Sequence, residues 1–121
     1  MKAEIRTIPY KNQRYQTAGD WRTVEGMMRV WVSETGNEDY NFLIGIHELV
    51  EFYLCQREGI SEQSVTEWDT AHLDAEDPGS DPKAPYYKQH RVALLVEDVL
   101  MRFMKINKKK YEKRLDEVCS G

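Results

Sequence analysis

The chain has 121 residues, 40% of them hydrophobic and 31% charged, as expected of one domain (1–121) with a modest core. A formal net charge of −4 argues against general nucleic-acid binding, because phosphate affinity comes mainly from clustered Lys and Arg. No apolar run approaches the roughly 20 residues of a membrane span. The start, MKAEIRTIPY, lacks the apolar segment of a signal peptide, so the expected location is the cytoplasm with no membrane partner.

AEIRTI (3–8) reads as a strand, followed by a polar turn region through Gly19. DWRTV and MMRVWVS flank Glu25-Gly26 in the manner of a hairpin, with Met28, Val30 and Val32 on one face. Residues 1–35 are therefore expected to form a small antiparallel sheet. At Gly36-Asn37 the period changes. Asn37 suits an N-cap, Glu38 and Asp39 suit the positive end of a helix, and Leu43, Ile46, Val50 and Leu54 recur at helical spacing up to Gly59. A shorter helix should start near Ser61 and carry Val65, Trp68 and His72.

LDAEDPGSDPKAP (73–85) is a loop by composition, and its length favours a functional role. A long helix is expected from about Pro85 to Ile106, and a last one from Lys109 to Val118. The basic stretch KINKKKYEKR (105–114) reads as a solvated helix end diluted by Glu112. Cys55 and Cys119 make no disulfide framework and are expected to be free thiols. The fold class predicted is α+β: the small sheet packed on three to four helices spanning 37–121.

Turning the 85–106 segment by about 100° per residue places Arg91, Asp98, Arg102 and Lys105 on one narrow arc. Val92, Leu95, Val96, Val99 and Phe103 cover one apolar side. Ala93, Leu94, Met101 and Met104 cover most of the other, with His90 and Glu97 among them. Such a helix should be central. On the 38–58 helix, His47 edges the apolar stripe, Glu51 shares its side, and Glu48 lies farther round. A buried isolated carboxylate takes up a proton or finds a partner. If the two helices pack together, the least costly arrangement is for the four groups to meet.

Such a cluster points to a divalent metal. His47 and Glu51 at i, i+4 bind one ion from adjacent turns, and His90 supplies a third ligand. Glu97 is either a fourth ligand or holds a histidine by its second nitrogen. Glu48 beside the metal suits a general base acting on bound water, so it is the candidate catalytic residue. Zinc fits this N/O set best, with manganese or iron compatible. The alternative is a purely structural hydrogen-bonded cluster. A rival cation site is His72 with Asp74, Asp77 and Asp81.

HELVE (47–51) resembles the active-site helix of zincin-type metallopeptidases, with Glu51 where the second histidine of H-E-x-x-H stands. QRYQTAGDW, HELVEFYLC, GISEQSVTEWDTAH, DPGSDPKAPYYKQH and the later VED resemble a group of small phage and prophage proteins of uncharacterised function. The resemblance makes His47, Glu48, Glu51, His90 and Glu97 the positions to test. As an enzyme the chain is expected to be a metal-dependent hydrolase, and by analogy with zincins a peptide substrate would lie along the edge of MMRVWVS. A second reading is a non-enzymatic phage accessory protein gripping a partner with Trp21, Trp31, Tyr86 or Tyr87. A third is an all-helical nucleotide pyrophosphohydrolase using Glu48, Glu51, Glu97 and Asp98.

Overall fold

A computed structural model of the chain describes residues 1–120. The class is α+β: a three-stranded sheet and four helices. The strands are β1 (Ala3–Ile8), β2 (Gly19–Val24) and β3 (Met27–Ser33). The hairpin forms as expected, with Val24 paired to Met27. Its two turn residues, Glu25 (φ 52°) and Gly26 (φ 77°), are both left-handed, the geometry that matches strand twist.

The sheet corrects one expectation. It is mixed rather than antiparallel, because β1 pairs parallel to β3 from Ala3↔Met28 to Ile8↔Ser33. The order β1-β3-β2 puts β3 in the centre. The connection from Ile8 to Gly19 is too long for a tight hairpin and contains a single 3-10 turn at Tyr10–Asn12. It leaves room for β3 to insert between the first two strands. MMRVWVS therefore has no free edge along which a peptide could lie. On the β2 edge, the Trp21 and Thr23 amides already donate to the carboxylates of Asp20 and Glu62.

Helix α1 (Glu38–Arg57) starts at Asn37, whose side chain accepts from the Tyr40 amide. It lies on the inner face of the sheet, where Met28, Val30 and Val32 are buried. Gly45 permits the approach: a Cβ there would sit 2.9 Å from Ile5 Cγ2. Trp21 of β2 stacks on Phe52 of α1 at 4.5 Å. Helix α2 (Glu62–Ala71) is capped by Ser61, and α3 (Tyr87–Met104) ends in a left-handed Lys105. Helix α4 (Lys108–Cys119) is capped by Asn107, and its Arg114 Nε donates to Thr35 O at 2.7 Å, tying the tail to the strand–helix junction.

Helix α3 packs on α1 with its Gln89, His90, Ala93, Glu97 and Met101 side. It is not the central helix that its two apolar faces predicted. Val92, Leu95, Val99 and Phe103 lie on the opposite side and are exposed. Periodicity shows that a face is apolar; it does not supply a layer to cover it, and among the described residues no further element covers this one. Cys55 is buried and free, and Cys119 is also free. None of the described helices is long and apolar enough to cross a membrane.

Candidate metal centre

Helices α1 and α3 run antiparallel, since His47 pairs with Glu97 while Glu51, a turn later, pairs with the earlier His90. Between them three donor atoms converge. His47 Nε2 lies 3.2 Å from Glu51 Oε2 and 3.2 Å from His90 Nδ1, and His90 Nδ1 lies 2.7 Å from Glu51 Oε2. Ligands about 2.0–2.1 Å from a tetrahedral zinc are separated by about 3.3 Å. The triangle is therefore close to one face of such a coordination shell. His47, Glu51 and His90 are buried and can hold a divalent ion.

The groups behind the triangle decide which atoms face it. His47 Nδ1 donates to Glu97 Oε2 at 2.5 Å, and the other Glu97 oxygen accepts from the Tyr111 hydroxyl at 2.7 Å. His90 Nε2 donates to Asp77 Oδ2 at 3.0 Å. Glu51 Oε1 accepts from Trp21 Nε1 at 3.0 Å. With the outer ring nitrogens protonated, a neutral His47 and His90 turn lone pairs toward Glu51 Oε2. Three lone pairs about 3 Å apart repel one another unless a cation, whether metal or proton, stands among them.

The electrostatics carry the same signature. Burial opposes a charge on either histidine, but hydrogen bonds to the Glu51 and Glu97 carboxylates raise His47 well above the ordinary histidine range. His90 is likewise disfavoured by burial yet raised to about 9 by Asp77 and Glu51. Glu51, which burial would raise, is held down to about 2 by the two imidazoles. The pocket is thus built to attract positive charge. Glu48 behaves oppositely: burial and the neighbouring Glu51 carboxylate push it well above the usual carboxylate range. Among the described residues no side chain hydrogen-bonds to it, and its carboxyl packs directly over Gly19, where a Cβ would stand 2.7 Å from Oε1.

A cleft of about 730 Å³ opens here, lined among others by Tyr15, Asp20, Glu48, Asp69, Asp77 and Tyr86. Asp69 of α2 accepts from the hydroxyls of Tyr15 (3.0 Å) and Tyr86. The Arg14 guanidinium forks onto Asp20 at 2.6 and 3.0 Å. Neither a family model, nor a curated protein, nor a solved structure matches this chain. The centre has to be read from its own geometry.

The predicted His47, Glu51 and His90 meet as expected. Glu97 reaches the cluster but stands behind His47, the second of its two anticipated places, and is not among the converging atoms. Asp98 faces outward, paired with Lys108, and the presence of the sheet is incompatible with an all-helical pyrophosphohydrolase. The rival set does not form: His72 donates Nδ1–H to Trp68 O, Asp81 accepts from the Lys83 amide, and Asp77 belongs to His90.

Trp21 and Tyr86, offered as partner-gripping aromatics, are buried at 4% and 3% exposure, and Trp31 and Tyr87 are half-buried. Residue-by-residue reasoning missed Trp21, Asp77 and Tyr111 as supports of the ligands. Each comes from an element remote in the chain. The sequence pointed to Asp77 only as a member of the rival cation set in the unusually long 73–85 loop.

Proposed function

We propose that the protein is a metal-dependent hydrolase of zincin-like type, with His47, Glu51 and His90 holding a divalent ion and Glu48 serving as general base. The observation that carries this reading is the convergence of three buried ligand atoms, each ligand fixed from behind by its own partner. Two nitrogens and one oxygen favour zinc, with manganese or iron accommodated by the same set.

Such an ion polarises a carbonyl or phosphoryl oxygen and acidifies bound water. Glu48 suits proton transfer for two reasons. Its carboxyl makes no side-chain hydrogen bond among the described residues, and burial beside Glu51 raises its affinity for a proton. The adjoining cleft has room for a substrate, and the Tyr15–Asp69–Tyr86 cluster along it offers hydroxyls to orient a polar group.

The test begins with elemental analysis of protein purified without a histidine tag. Stoichiometric metal should disappear in His47→Ala and His90→Ala. Glu48→Gln should keep the metal and lose turnover, by roughly 100-fold or more, in a panel of peptide and phosphodiester substrates. Metal-free wild-type protein that resists loading with zinc, manganese and iron would overturn the proposal. The non-enzymatic accessory reading draws its support from a different place, the uncovered side of α3.

A further inference from the structure

Four large side chains of α3 stand in water: Val92 is 43% exposed, Leu95 60%, Val99 65% and Phe103 86%. Steps of three, four and four residues align them as one stripe along the helix. It faces away from His90 and Glu97, so it has no part in the metal centre. Helix α1 also carries exposed apolar side chains. Phe42 and Tyr53 are 48% and 45% exposed, and Leu49, Val50 and Leu54 line an apolar groove beside Tyr53 and Met1.

We propose that this two-helix face docks a second copy of the chain, forming a symmetric dimer through α1 and α3. Its area suits that occupant. Together, the six exposed side chains of α3 and α1 present on the order of 600 Å² of mainly apolar surface. That sum approaches the roughly 800 Å² per partner of a standard interface.

The charges at its end are self-complementary. Because α1 and α3 are antiparallel, the exposed acidic start of α1 (Glu38, Asp39) and the exposed basic end of α3 (Arg102, Lys105) share one end of the pair. A two-fold axis parallel to the helices lays each acidic start over the partner's basic end. It also sets α1 antiparallel to the partner's α3, the favourable dipole orientation. The contact is a four-helix packing with Leu95, Val99 and Phe103 at its seam.

Sedimentation equilibrium of the wild-type chain, Val99→Glu, Phe103→Glu and Phe103→Ala tests this. The sites are solvent-facing within one copy, so circular dichroism should report intact folding and metal content should be unchanged. The expected result is a wild-type dimer at micromolar concentration, with the glutamate variants weakened at least 100-fold and Phe103→Ala less so. Asp39→Lys should weaken it about 10-fold, and Arg102→Glu should restore that loss. Three results would each overturn the proposal: a wild-type monomer at about 200 μM, a dimer indifferent to Val99→Glu and Phe103→Glu, or a monomer that instead binds phospholipid vesicles through Phe103.

Discussion

Glu97 Oε2 lies 2.5 Å from His47 Nδ1 and fixes which nitrogen of that ring faces Glu51 and His90. Its other oxygen is held by Tyr111 of α4, so α4 helps to orient the His47 imidazole on α1. A carboxylate behind a ligating imidazole raises its basicity and locks its orientation. Glu97→Gln retains an acceptor for His47 but removes the charge. It should lower metal affinity by about 10- to 100-fold while leaving the fold intact, as read by competition with a chromogenic chelator. An unchanged affinity would remove Glu97 from the centre.

Two glycines distinguish the place of His90 from that of the proposed base, Glu48. A Cβ at Gly79 would stand 2.7 Å from His90 Cγ and 2.8 Å from a Tyr86 ring carbon, so Gly79→Ala must move the imidazole or the turn. A Cβ at Gly19 would stand 2.6 Å from Glu48 Cγ. Each change should cost about 1–3 kcal/mol of stability through overpacking. Their functional readouts should differ: Gly79→Ala should reduce metal content, whereas Gly19→Ala should keep the metal and impair turnover. Equal metal loss in both would show that Glu48 and the ligands do not move independently.

Trp21 joins the core to the site, stacking on Phe52 while donating Nε1–H to Glu51. Trp21→Phe keeps the stacking but leaves a buried carboxylate oxygen without its donor. The expected cost is about 1–3 kcal/mol in chemical denaturation of the metal-free protein. Loaded protein should lose less, because the ion offsets part of the charge on Glu51. A loss confined to the loaded form would contradict this.

Burial and nearby carboxylates raise Asp69 to about 6, against the hydrogen bonds from Tyr86 and Tyr15 that favour its ionised form. Its folded pKa exceeds the unfolded value of about 3.9. Its contribution is therefore fully present below about pH 4 and lost as pH rises through about 6. Asp69→Asn cannot ionise. Its melting temperature relative to wild type should climb between pH 4 and pH 7 by several degrees, given that 1 kcal/mol moves Tm by roughly 3–6 °C at this size. A pH-independent difference in calorimetry would mean that Asp69 titrates alike in both states.

Local pattern was enough to place most elements. Asn37, Ser61 and Asn107 cap the helices they begin because a side-chain oxygen at that position satisfies an amide with no other partner. The alternation of Met28, Val30 and Val32 defined the buried face of the sheet. The spacing of His47 and Glu51 on one turn, with His90 and Glu97 two turns apart on another helix, was likewise legible. Those are short-range regularities, set by periods of 2 and 3.6 residues.

What the sequence by itself determined, then, was the existence of the helices and strands and the ligand-bearing faces of α1 and α3. Only the tertiary structure decided that β3 inserts beside β1, that Asp77, Trp21 and Tyr111 back His90, Glu51 and Glu97, and that one apolar side of α3 is left uncovered. Pairing order, second-layer hydrogen bonds and burial depend on which remote segments meet. Side-chain periodicity identifies a surface that seeks a neighbour, but the free energy of the whole packed chain selects that neighbour.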